Sequence, residues 1–359
     1  MTNCRNSSIE LLRLVAMAAI VLYHLISQGL GYQFIAIGGG PYLPIKEWGI
    51  PILFISFLRF SVDAFVIISG FYKIKLKVAS VFSFALICAS FSAIHLLLKI
   101  HLSPDFSFSL GCLKPIVYPL THNDGWFIRC YFILMLASPL INKLFESNKR
   151  FIHSSMFLLT LINLYVGLFQ QNPINPSGYT AAHMIYMYCV GRYISVINLA
   201  DFTKRSWWII AFILSNLFTF LIVYQLFRNG YQEKSFLWIG NNSPFVMISA
   251  IAIFCIFLKI QIHSSIINFL ASGALGIYLF HAHHFFFYNQ IVPRVHIAWE
   301  NSTAIEFATY IIILTLVLCS IGIFTNILIK FIVKGILKFR FISWFCRKID
   351  GLINATERQ

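Results

Sequence analysis

Apolar residues run along this chain in ten stretches of roughly 18–25 residues, the length a helix needs to cross a bilayer core. Their approximate limits are 9–28, 49–72, 78–99, 126–145, 151–170, 181–198, 206–227, 244–262, 266–289 and 306–333. Polar residues gather in the connections, which hold no repeat, low-complexity linker or soluble domain. The pattern predicts an all-α, polytopic integral membrane bundle of about ten transmembrane helices over residues 1–340, followed by a basic tail over 341–359. The first run has no basic leader and no small-residue cleavage site, so it reads as an uncleaved span rather than a signal peptide.

Composition supports this class. The 359 residues are 59% hydrophobic and 11% charged, where a soluble domain carries about 25% charge. Mean hydropathy is +0.79. With the N-terminus in the cytoplasm, 17 Lys and Arg fall in the inner connections and 6 in the outer ones, which predicts both termini inside. The net charge of +15 is thus mostly a topology signal, suited to anionic lipid, with no feature of nucleic-acid binding beside it. Cys88, Cys130, Cys189, Cys255 and Cys319 sit in apolar runs, while Cys4, Cys112 and Cys346 are scattered. They form neither a disulfide framework nor a metal-ligand spacing.

Candidate chemistry lies where ionisable residues interrupt the spans. In "ELLRLVAMAAIVLYHL", Arg13 and His24 are eleven residues apart, which returns them to nearly one helix face, with Glu10 close to it. Arg13 is shallow enough to snorkel to the headgroups; His24 is not. In "LRFSVDAFVIISGF", Arg59 and Asp63 are four apart and suited to neutralising each other, and Ser69-Gly70 precedes the lysines Lys73, Lys75 and Lys77. "HNDGWFIRCYF" brings Trp126, an interfacial aromatic, one turn before Arg129, which needs a partner or a cavity. "LGIYLFHAHHFFFYN" sets Tyr278, His281 and His284 at three-residue steps. The cluster His281, His283, His284 lacks a carboxylate or Cys at ligand spacing, so no metal is expected.

These stretches, in this order, resemble acyltransferase family three, polytopic enzymes that O-acylate bacterial surface polysaccharides. The Arg, ten residues, His signature is matched by Arg13 and His24, with Glu10 at its acidic position. "SVDAFVIISGF" is similar to the second-span motif, "GWFI" with the later Ser138-Pro139 to the Trp-Phe span, and "GIYLFH" to the Tyr-Leu-x-His motif. The resemblance implies an O-acyltransferase of the bacterial inner membrane, most simply moving acetyl from cytoplasmic acetyl-CoA to a hydroxyl of a polysaccharide or lipid-linked glycan such as O-antigen. It implies His24 as general base, Glu10 orienting Arg13, and Asp63 balancing charge between the two levels. Arg13, Ser69, Gly70, Lys73 and Lys75 would hold the coenzyme, and Trp126, Arg129, Tyr278 and His281 the acceptor. Succinyl transfer and a proton-coupled transporter remain the alternatives. Two departures stand out: lysines occupy the loop where members often carry arginines, and no hydrolase-like domain follows the tenth span, which implies a membrane-only reaction or a separate partner.

Overall fold

The computed structural model describes residues 6–32, 45–122, 125–169, 176–199 and 201–356. Arg5 and Arg358, two of the 17 basic residues counted to the inner side, Cys4 and the Asn-Asp pair at 123–124 lie outside them. All the regular structure among the described residues is helical, with no strand among them.

Helix α1 (Ser7–Gly29) is the axis of the bundle, packed by helices from both halves of the chain. Asn6 caps it by accepting from Ser8 N, and Ser8 Oγ donates to the Ile260 carbonyl at 2.6 Å and accepts from Ile262 N. The second span is α2 (Gly49–Leu58) followed by α3 (Ser61–Phe71), and α4 (Val78–Leu102) crosses after the lysine loop. A short α5 (Lys114–Val117) leads to α6 (Trp126–Leu144), α7 (Lys149–Leu164) and α8 (Ala181–Ile197). Then come α9 (Arg205–Arg228), α10 (Ser235–Ile239) and α11 (Pro244–Leu258). The last part holds α12 (Ser265–Ser272), α13 (Ala274–His281), α14 (His284–Phe286), α15 (Val292–Asn301), α16 (Ala304–Ile336) and α17 (Arg340–Thr356).

Each of the ten apolar stretches contains helix, but the described residues give seven helices long and apolar enough to cross a membrane, or eight with one bent pair. The stretches at 151–170 and 181–198 hold α7 and α8, of 16 and 17 residues. The stretch at 266–289 is not one straight span: α12–α13 and α14–α15 meet at 69°. The turn is at Ala282–His283, where His283 adopts an extended backbone (φ −73°, ψ 123°). The basic tail is also helical, as α17.

Small residues set the closest helix contacts, as expected where no hydrophobic drive separates lipid from protein. At Gly70 of α3 a Cβ would lie 2.2 Å from the Tyr188 carbonyl oxygen, and at Gly191 of α8 it would lie 2.3 Å from that of Ile67. At Gly276 of α13 it would meet the Gly322 oxygen of α16 at 2.1 Å. Backbone therefore lies on backbone at both crossings, and the second one fixes the helix that carries Tyr278 and His281.

Candidate functional site

The site is built on α1 and arranged along its length. At the end near the lysine loop, Arg13 Nη1 bonds Glu10 Oε1 at 2.7 Å, the i,i+3 pair that the sequence suggests. Glu10 is buried and Arg13 is 28% exposed, so the guanidinium reaches the surface from a carboxylate anchored inside. Ser69 lies in the same region, its Oγ 3.3 Å from the Tyr131 hydroxyl and 3.2 Å from the Phe65 carbonyl to which it donates. Gly70 serves helix packing. The loop after α3 alternates: Ile74 and Leu76 turn partly inward, while Lys73, Lys75 and Lys77 are exposed. It is tied down by Ile74 N donating to the Tyr188 hydroxyl (3.0 Å) and Asn142 Nδ2 donating to the Ile74 carbonyl (3.0 Å). Lys73 takes a left-handed backbone (φ 58°), which makes the turn out of α3.

One level deeper, Asp63 and Arg59 part company. The i,i+4 spacing suits a mutual ion pair, yet Asp63 Oδ1 accepts from His183 Nε2 at 3.0 Å, and His183 Nδ1 is 3.4 Å from Asn163 Oδ1. Asp63 is 1% and His183 2% exposed by side chain. Arg59 instead donates to the Ile239 carbonyl (2.6 Å) and to Asn241 Oδ1 (2.8 Å). Its Cζ lies 4.7 Å from the Tyr23 ring centre and 5.6 Å from that of Tyr179. Among the described residues no carboxylate forms an ion pair with this buried cation, whose charge reaches His24.

His24 stands at the opposite end from the lysines. Its Nδ1 is 3.0 Å from His281 Nε2, and His281 Nδ1 is 2.6 Å from the Ile277 carbonyl oxygen. A carbonyl only accepts, so His281 Nδ1 carries the proton and, in the neutral ring, Nε2 is bare. His24 Nδ1 must then donate, which leaves His24 Nε2 without a proton and able to accept one. His281 is fully buried, one turn past the Gly276 contact, so this geometry rests on a rigid part of the bundle.

His24 lines a cavity of about 720 Å³ whose walls include Tyr23, Gln28, Trp126, Tyr179, Glu233, Phe236, Tyr278, His284, Phe287 and Tyr288. Seven of these ten are aromatic. Enclosure by protein pushes the Tyr179 phenol above its ordinary range, against the pull of the Arg59 charge, so it stays a neutral hydrogen-bonding group.

The structure thus brings His24, Trp126 and Tyr278 to one cavity and sets His281 behind His24 rather than at the cavity wall. Arg129 is exposed on the bundle and does not line it. The three clustered histidines go separate ways: His281 to His24, His283 into a stack with His95 at 4.1 Å, His284 to the cavity beside Tyr288. Among the described residues no group of three metal-ligating side chains is assembled. Sequence reasoning passed over His183, Tyr23 and Tyr179. His183 had a usable signal, an ionisable side chain inside an apolar stretch; the two tyrosines had none.

A family model described as an acyltransferase domain matches residues 6–325. The match takes in α1 to most of α16 and stops before α17. No curated protein and no solved structure is found to match the chain.

Proposed function

The chain belongs to acyltransferase family three, and from that premise we propose that this multi-pass membrane acyltransferase is an O-acetyltransferase. In this reading it moves acetyl from cytoplasmic acetyl-CoA to a hydroxyl of a cell-surface or lipid-linked polysaccharide, such as O-antigen, at the bacterial inner membrane. The observation that carries it is the chain His24–His281–Ile277 carbonyl beside an aromatic cavity.

The steps follow from that chain. His24 Nε2 takes the proton from an acceptor hydroxyl held in the cavity, and the oxygen attacks the thioester carbonyl carbon. His24 becomes an imidazolium whose Nδ1–H stays bonded to His281 Nε2, so the new charge meets an acceptor already in place. The oxyanion forms near the buried Arg59 charge, which no carboxylate neutralises among the described residues. Its collapse breaks the C–S bond, and the leaving sulfur takes the proton from His24. Net, an ester forms, a thioester is lost and the free thiol leaves.

Aromatic faces of Tyr23, Trp126 and Tyr288 suit the C–H faces of a sugar ring, with phenols for its hydroxyls. At the other end of α1, Arg13 held by Glu10, with Lys73 and Lys75, offers cations to coenzyme phosphates, and with both termini cytoplasmic this end faces the donor's compartment. Trp126 and Tyr278 fit the acceptor role; Arg129 does not enter it.

The test is acetyl transfer from labelled acetyl-CoA in membranes. A general base contributes about 10²–10⁴-fold, so His24→Ala and His24→Gln should both lose activity on that scale with expression intact. Gln keeps a hydrogen bond but takes no proton, so near-normal transfer by His24→Gln would sink the mechanism.

A further inference from the structure

Helix α17 lies beyond the family match and outside the site, and its faces are unequal. Cys346 is buried, and Ile342 and Ile349 are half-buried against the bundle. On the neighbouring face Phe341 is 73%, Trp344 51% and Phe345 41% exposed. Arg340, Arg347 and Lys348 are exposed around them, and the Lys348 ammonium lies 5.0 Å from the Trp344 ring centre.

Two attachments set the level of this helix. Only Leu337–Phe339 separate it from the end of α16, and three extended residues reach about 10 Å at most. Its far end is tied to the start of α4, where Asp350 Oδ1 accepts from Val78 N at 2.8 Å, a helix-start N–H that no residue of α4's own cap satisfies. Both attachment points are ends of membrane-crossing helices, so α17 lies at the height of the headgroups. Lys334 and Lys338 precede it, Lys73, Lys75 and Lys77 run up to the start of α4, and all are exposed. Asp350 is the one acidic residue from 307 to 356, and it is engaged by Val78.

We propose that the exposed face of α17 is a docking surface for anionic lipid: Phe341, Trp344 and Phe345 enter the headgroup–acyl boundary while Arg340, Arg347 and Lys348 hold lipid phosphates. Charge complementarity selects this occupant. An amphipathic helix with aromatic residues on one side and cations on the other is the form that lies in an interface, and each cation near an anionic surface adds about fivefold to binding. The proposal stands apart from the acyl-transfer reading and does not depend on the acceptor.

The experiment uses the full-length protein in nanodiscs containing phosphatidylcholine and phosphatidylglycerol, with one or the other lipid brominated. The Trp344 share of the fluorescence is taken as the difference from Trp344→Phe. Brominated phosphatidylglycerol should quench that share several times more than brominated phosphatidylcholine at equal mole fraction. Arg340→Gln, Arg347→Gln and Lys348→Gln together should remove the preference yet retain quenching, which also shows that the helix remains folded in place. Equal quenching by both lipids in the wild-type protein, or an unchanged preference in the triple variant, would overturn the anionic-lipid assignment. Absence of quenching by either lipid would give the face to a protein partner and overturn it too.

Discussion

His281 does not line the cavity, yet its removal should slow the reaction. In His281→Phe the imidazole of His24 keeps its place in α1 but loses the acceptor 3.0 Å from Nδ1. His281 is fully buried, so water has no ready path to replace it. The bond matters most when His24 is charged, and a charge-assisted hydrogen bond is worth about 1.5–3 kcal/mol. At about 1.4 kcal/mol per decade, kcat for acetyl transfer should fall roughly 10- to 150-fold. The acceptor KM should stay near the wild-type value, because no cavity wall changes. His281→Gln offers an amide oxygen to His24 Nδ1 and should recover part of the loss. Initial rates of labelled acetyl transfer in membranes, with the acceptor varied, separate kcat from KM. A His281→Phe enzyme with kcat within about twofold of wild type, or one altered in KM alone, would refute the relay.

Three further outcomes follow from the packing and charges. Asp63→Asn should destabilise the detergent-solubilised protein, since a buried hydrogen bond to a charged group is worth about 1.5–3 kcal/mol, and His183→Asn should add little on top of it; additive losses in thermal unfolding would deny the coupling. Gly276→Ala should be worse than an ordinary helix substitution, because a Cβ would sit 2.1 Å from a backbone oxygen that has no rotamer to yield; an unchanged melting temperature would contradict that contact. Lys73, Lys75 and Lys77 changed together to Gln should raise KM for acetyl-CoA with kcat and the acceptor KM kept, whereas an unchanged donor KM would leave those lysines a topological role alone.

Much of the helical frame was legible because apolar runs record it directly, and the Glu10–Arg13 pair because both residues lie on one helix, where spacing is geometry. The same rule misled at Arg59 and Asp63. It sees only a residue's own helix, and the partners that won, His183 and Asn241, come from 120 and 182 positions along the chain. The bend at Ala282–His283 was illegible for a different reason: no Gly or Pro marks it, and the histidines around it, His281, His283 and His284, read as chemistry rather than as a break in the helix. The basic tail showed its charge in the sequence; that it packs as a helix through Cys346 and Asp350 depends on α4, far away in the chain. His281 stood out in the sequence as an expected acceptor-site residue, but whether it faces a ligand or another histidine is decided by α1, which no local pattern reports.

Arg13 and His24 share one uninterrupted helix, and this makes α1 a ruler. Eleven residues of helix hold the two side chains about 16 Å apart along the axis, a spacing set by backbone hydrogen bonds rather than by any hinge or loop. A molecule gripped at one end and reacting at the other is therefore gauged by length. Its reactive carbon arrives beside the imidazole when the arm between has the right number of bonds. If Arg13 grips the donor and His24 serves the reaction as proposed, a longer acyl chain would have to spill past that mark into the acceptor's cavity, so chain-length selectivity and acceptor access would be measured on the same scale.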